Sequence, residues 1–304
     1  MDYFEEGVAR LDGVRIIMYR DAEAAMAAFK SGSADILWQL PPRNDSEIDA
    51  SADWVLLKGS VPLYQVRGQY DNSTEPFSDK RVRQAMRYAT DSDAIRDIAY
   101  FGRAESNWTN SVFPTGHEVY NPNLPKYTFD LAKAKELLDE AGISEGYTIR
   151  VPVISAAVPE LTTMMEIYER NMAEIGIVLE LEEMEVAAWV DLFAPAPKEY
   201  PNIFTVDGGV PSYPPDSVLD MVGMNVCNWD RAPEVMEMAA EAAATLDDDE
   251  RLSIYWQIQE IYADELPEII PVHFYFAHAA WKYVKDLYVD SSANLKYAEV
   301  WLDK

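Results

Sequence analysis

The chain is poor in the residues that staple or catalyse. It has one cysteine, Cys227, in 304 residues. That excludes an internal disulfide and any cysteine-rich zinc site. The three histidines, His117, His273 and His278, leave little for an imidazole metal site or a catalytic triad. His273 and His278 are five apart, the wrong spacing for one helical face, and on a strand they would point to opposite sides. No metal site and no cofactor is expected. No G-x-S-x-G elbow and no G-x-x-x-x-G-K-[ST] phosphate cradle occurs. No apolar run approaches the roughly 20 residues of a membrane-spanning helix. Met1 is followed at once by Asp2, Glu5 and Glu6, which is not the pattern of an export signal. Basic residues are few: 25 Lys and Arg stand against 53 Asp and Glu, a net charge of −28. A surface of that sign repels phosphate, so nucleic acid is not expected as a partner.

Apolar types make up 49 % of the sequence, enough for a core, and the length suits two lobes. Residues 14–19 (VRIIMY) read as a buried strand. Asp21 can cap a helix carrying Ala24, Ala25, Ala28 and Phe29, and a short strand follows from Asp35 to Trp38. This is a βαβ-like start. From Lys80 the pattern turns helical, and Asp91 can start a second helix. Residues 103–129 form a long loop punctuated by Trp108, Asn110, Pro114 and Pro122. Asp130 and Gly142 bracket an amphipathic helix with Ala134, Leu137, Leu138 and Ala141 on its stripe. Strands are predicted at 147–154, 177–182, 203–206 and 268–276. Helices are predicted at 160–175, 186–193, 233–245 and 249–264. Aromatic residues in the loop-rich stretches, among them Trp108, Tyr213 and Trp229, suit the grip of a cleft on a neutral or amphipathic solute.

Several segments carry a resemblance. Pro76–Ala89 reads PFSDKRVRQAMRYA and runs on into Thr90-Asp91. It resembles the P-F-x-D-x-R-V-R-x-A-x-x-x-A-x-D segment of the extracellular solute-binding proteins that serve peptide, nickel and oligosaccharide ABC importers. Leu11–Val14, Ser31–Ile36, Tyr127–Gly142 (YTFDLAKAKELLDEAG), Ala173–Ile177, Trp189, Pro271-Val272 and Glu299–Leu302 are similar to further elements of that family, in order. The resemblance covers essentially the whole chain. It implies an α/β, periplasmic-binding-protein-like two-lobe fold of the large three-domain class, here lacking the N-terminal part of lobe one and the extra domain. Residues 1–76 and 276–304 would be parts of lobe one and 77–275 the second lobe, with hinge strands near 64–70 and 270–276. Closure around a solute would be a hinge motion driven by the ligand.

The function so implied is not enzymatic. The chain would be a monomeric binding component that captures a peptide or oligosaccharide and delivers it to the membrane subunits of an ABC transporter. It would work in the periplasm or lipid-anchored at the outer face of the cell membrane. Where peptide-binding members carry G-W-x-x-D-Y, this chain has Gly208-Gly209-Val210-Pro211-Ser212-Tyr213. Ser212 stands at the position whose aspartate pairs with a peptide ammonium, a loss that favours a neutral solute. Trp189, Asp207, Gly208, Gly209, Ser212 and Tyr213 are the expected ligand contacts, joined by Trp108 and Asn110 from the long loop. Two alternatives stay open. Close carboxylate pairs could serve an acidic glycoside hydrolase, and a truncated module could have lost binding.

Overall fold

Side chains set the helix ends. Asp21 accepts from the Ala24 amide and opens α1 (Ala22–Lys30), which buries Met26 and Phe29. β1 (Ile36–Leu37), α2 (Asp45–Ala50) and β2 (Trp54–Lys58) follow. Next comes β3 (Tyr64–Tyr70). Asp79 caps α3 (Lys80–Tyr88), and Asp91 caps α4 (Ser92–Ala94), which runs on as a π-helical turn over Ile95–Ala99. After β4 (Ala104–Ser106), Asp130 accepts from the Lys133 amide to start α5 (Leu131–Ala141). Gly142 ends α5 at φ 76°, a left-handed turn that glycine adopts without strain. β5 (Tyr147–Val153), α6 (Pro159–Glu174) and β6 (Ile177–Glu183) form a parallel strand–helix–strand unit. β7 (Phe204–Pro211), α7 (Ala232–Ala244), α8 (Asp248–Glu265), β8 (Glu268–Ile269) and β9 (Val272–Phe274) come next. The chain closes with β10 (Ala277–Trp281), β11 (Val284–Lys285), β12 (Tyr288–Val289), β13 (Leu295–Lys296) and β14 (Trp301–Leu302). This computed structural model describes residues 10–19, 21–154, 159–185, 187–189, 202–211, 227–290 and 294–304.

These elements sort into two units. Unit 1 is Met1–Leu63 with Tyr275–Lys304, and unit 2 is the continuous stretch Tyr64–Phe274. In unit 1, β10 lies between β1 and β2, antiparallel to both. One core of this unit joins Met26, Phe29, Leu37, Leu40, Ile48 and Ala279, with Trp54 and Trp281 packed against it. Phe29 lies 5.4 Å from the Trp54 ring and 6.0 Å from that of Trp281. In unit 2 the main sheet runs β4-β9-β3-β7, and β8 also pairs with β3. A bridge between Arg150 and Ile203 brings β5 alongside the entry to β7. The apolar faces of α7 and α8 pack on Val112, Phe113, Val119 and Trp229.

Three expectations change. Residues 14–19 belong to no ladder, and Ile16 and Met18 are 82 % and 92 % exposed. An apolar β-branched run becomes a buried strand only beside another strand, and the described part of unit 1 offers this one none. Residues 64–76, read as part of the first lobe, fall in unit 2 because β3 is paired on both edges. The helix expected after Asp91 gives way after three residues to the π turn. Of the helix expected at 186–193, residues 187–189 are helical and the others lie outside the described residues.

Candidate functional site

The strand β3 carries two different faces. Val66, Gly68 and Tyr70 point into an aromatic layer, where Tyr70 stacks on Phe77 at 4.7 Å. Gly68 is needed there: a Cβ would meet the Phe204 ring at 2.6 Å. On the opposite face Gln65, Arg67 and Gln69 are all buried. Arg67 Nη1 sits 3.8 Å from Glu268 Oε2, and Gln69 Nε2 donates to the same oxygen at 3.3 Å. The Tyr262 hydroxyl donates to Glu268 Oε1. Burial, with the Glu268 carboxylate second, pushes the Tyr262 phenol well above its ordinary range, so it stays a donor. A buried carboxylate thus has a cation and two donors around it, as a charge out of water requires.

β7 runs antiparallel along β3. Asp207 stands opposite Arg67 and Gly208 opposite Val66, and then Val210 stands opposite Gln65. Gly209 is the extra residue of this bulge. A bulge bends the strand and takes backbone groups out of the ladder, and glycine suits it. Trp189 is tied to the start of the same strand. Its indole N–H donates to Thr205 Oγ1 at 3.1 Å, and that hydroxyl donates to the Pro152 carbonyl at 3.2 Å. The N–H is therefore spent on the scaffold, and the ring is half-buried. Trp189, Asp207, Gly208 and Gly209 are thus brought together on or beside β7. Ser212 and Tyr213 lie outside the described residues.

The long loop behaves differently. The Asn110 side chain is fully buried and links two backbone groups: Nδ2 donates to the Glu268 carbonyl and Oδ1 accepts from the Ile270 amide, both at 2.9 Å. Its backbone is left-handed at φ 55°, which asparagine tolerates. This amide closes the loop onto β8. Trp108 faces inward too, with its ring 5.9 Å from the Arg87 guanidinium. Tyr127 covers Arg87 at the same distance. Arg87 is fully buried and donates to the carbonyls of Thr90 and Asn107. Burial pulls its pKa down to about 10. Asn110 and Trp108 are committed to holding the loop, where sequence reading offered them as contacts.

The two histidines of the sequence argument are separated. His273 lies in unit 2, within 3.3 Å of Asn107 Nδ2 and 3.0 Å of the Ser111 carbonyl, and burial lowers its pKa to about 4. His278 lies in unit 1, on β10. Among the described residues, no three His, Cys, Asp or Glu side chains could share a metal ion. Sequence reading missed Arg67, Thr205 and Glu268. For Arg67 a signal was present in the Gln-x-Arg-x-Gln alternation of β3, but polar residues at period two read as a wet face, not as a buried one.

The family model for bacterial extracellular solute-binding proteins, family 5, middle part, matches residues 1–227. The chain belongs to this family. A dipeptide-binding protein of Escherichia coli (strain K12) is 29 % identical over 245 residues, covering 77 % of this chain and 45 % of that protein. Heme-binding protein A of Haemophilus influenzae is 28 % identical over 282 residues, covering 88 % of this chain and 50 % of its own length. The family 5 chain thus spans about half the length of these curated relatives. Among solved structures, a periplasmic binding protein from Helicobacter pylori in complex with the peptide STSA superposes with a TM-score of 0.77 at 20 % identity. That match covers 94 % of this chain and 56 % of the other. A substrate-binding protein from Listeria monocytogenes reaches a TM-score of 0.80 at 18 % identity, covering 94 % of this chain and 59 % of its own. At these identities the structures establish the fold, the α/β fold of periplasmic binding proteins.

Proposed function

We propose that this chain is the larger part of the solute-contacting body of an ABC importer's binding protein, and that its solute is a short peptide. The observation that carries this reading is the geometry of β7. The Asp207–Gly209 segment leaves the ladder at a glycine bulge, beside a tryptophan whose N–H is locked to Thr205. Backbone groups released at a bulge and a fixed aromatic face are what an extended peptide can use. The dipeptide-binding relatives support the same class of solute. The solute leaves unchanged, handed to membrane subunits of the transporter at the outer side of the cytoplasmic membrane.

Recognition of the peptide's amino end differs from the family pattern in this reading. Residue 212 is a serine, a hydrogen-bonding hydroxyl with no charge. A charge-assisted bond to an α-ammonium is therefore not what selects the solute. Peptides with blocked amino ends bind as well as free ones.

A thermal-shift screen of this chain tests the reading, with di- to pentapeptides in free and N-acetylated forms alongside oligosaccharides. A ligand at a hundred times its Kd stabilises the folded state by about 2.7 kcal/mol. Peptide hits in both forms are expected. Sugar hits without peptide hits, or no hit at all, overturn the peptide assignment. Hits with free peptides alone overturn the account of the amino end.

A further inference from the structure

The long loop of unit 2 is closed over two histidines that the solute site does not use. His273 on β9 and His117 in the loop are both buried. His273 Nε2 lies 3.0 Å from the Ser111 carbonyl, so the ring carries its proton there and donates it. Asn107 Nδ2 donates to the same carbonyl at 2.8 Å, and Asn107 Oδ1 accepts from the Ser111 amide. His117 Nδ1 accepts from the Val119 amide, and its ring packs on Phe113 at 4.8 Å. Gln259 of α8 closes the far end. Its Oε1 accepts from Ser111 Oγ and the Asn121 amide, and its Nε2 donates to the Val119 carbonyl. Residues 107–121 are thus fastened by side chains rather than by a strand ladder, and both rings are fastened as neutral imidazoles.

Neutrality is a condition of this closure. His273 Nδ1 is buried with no partner among the described residues, so a proton added there has no acceptor. A proton on His117 Nδ1 displaces the Val119 amide. Burial lowers the pKa of both rings, and a charge on His117 further disfavours one on His273. The carboxylates nearby have other partners. Glu105, opposite His273 on β4, accepts from the Thr115 amide. Glu260 accepts from Asn121 Nδ2, and Glu268 is held by Arg67, Gln69 and Tyr262. Gln65, opposite His273 on β3, is neutral, and Arg87, which donates to the Asn107 carbonyl, is a further cation. Glu118 favours a charged His117, but burial outweighs it.

We propose that His117 and His273 form an acid-released latch on this loop. Residues 107–121 stay closed while both rings are neutral and open locally, with the rest of unit 2 folded, as the pair takes up protons. Opening gives both rings water, where histidine titrates near its ordinary value of about 6.5. It also takes from Arg87 its Asn107 acceptor and from Gln259 its Ser111 and Asn121 donors. Each proton taken up on opening multiplies the open population by up to about tenfold for every pH unit of acidification. Two histidines acting together respond more steeply than one.

Hydrogen exchange of the whole chain, read by mass spectrometry from pH 7 to pH 4.5 and corrected for the intrinsic pH dependence of exchange, tests the latch. Peptides over 107–121 should lose protection by more than about tenfold per pH unit between pH 6 and pH 5, while those of β5 and β6 keep theirs. His117→Gln and His273→Gln should each reduce the slope to about tenfold per unit or less. The double variant should leave the loop without a pH response in this range, with circular dichroism checking that it folds. Loop protection that does not change with pH, or that falls together with β5 and β6, overturns the proposal, and neither outcome depends on a variant folding. A slope that the folded double variant keeps overturns the assignment to this pair.

Discussion

The two units are built from different interiors. In unit 2 the buried side chains include Arg67, Arg83, Arg87, Gln259, Glu268 and His273. Among the described residues of unit 1, His278 is the one buried polar side chain, and the rest of its interior is apolar, centred on Phe29 with Trp54 and Trp281. A polar interior is demanding, because each member needs its partners in place, and losing one leaves another stranded. An apolar interior is sensitive to volume and indifferent to pH. Unit 2 should therefore answer to charge and unit 1 to size.

Glu268→Leu is the strongest way to break the contrast. It removes the carboxylate from Arg67 and the acceptor of Tyr262 and Gln69. Breaking such a buried pair costs about 3–5 kcal/mol. Hydrogen exchange should show unit 2 amides losing protection while those of β1, β2 and β10 keep theirs. The counterpart in unit 1 is Phe29→Ala. Its side chain is fully buried between two indoles, and the deletion should cost about 3–5 kcal/mol. Here denaturant melts should move equally at pH 5 and pH 8.

The pH dependence itself sharpens the comparison. His273 has its pKa lowered to about 4 in the folded protein, by burial first. Unfolded, it binds a proton near the ordinary 6.5, so unfolding takes up a proton between these values. Its contribution is fully present above about pH 6.5 and is lost as pH falls towards 4, amounting to about 3 kcal/mol. His273→Gln should flatten that part of the pH–stability curve. A slope that survives the substitution would place the titrating group elsewhere. Gly68→Ala comes next. Its Cβ would lie 2.6 Å from the Phe204 ring, and overpacking of this kind costs about 1–3 kcal/mol. The smallest effect is expected from Asp130→Ala, which removes the cap on the Lys133 amide and about 1 kcal/mol. A urea midpoint series reads both.

Much of the fold was legible where the signal is local. Asp21, Asp91 and Asp130 all cap helices with their own carboxylates, and Gly142 takes the left-handed turn that its position after an apolar stripe predicts. What failed depended on distant partners. Residues 14–19 have the composition of a strand but no neighbour in the described unit. Arg67 and Gln69 look solvated until Glu268, some two hundred positions later, is placed beside them. Of the candidate site, the glycines lie on β7 and Trp189 is tethered beside it, its N–H bound by a threonine that nothing local singles out. Asn110 was chosen as a polar residue in a long loop. That same polarity let its amide pair with β8 backbone instead.

The order of the strands in unit 1 has a consequence for synthesis. β10 is the middle strand between β1 and β2, yet it follows the whole of unit 2 in the sequence. At the usual 5–20 residues per second, a ribosome needs roughly ten to forty seconds to go from β2 to β10. Unit 2 is one continuous stretch and can fold within that interval. Until β10 emerges, β1 and β2 have no common neighbour, and the faces of Phe29 and Trp54 have nothing from Trp281 to pack on. The newly made chain is thus a folded body trailing an unfinished hydrophobic segment, a ready client for a holding chaperone.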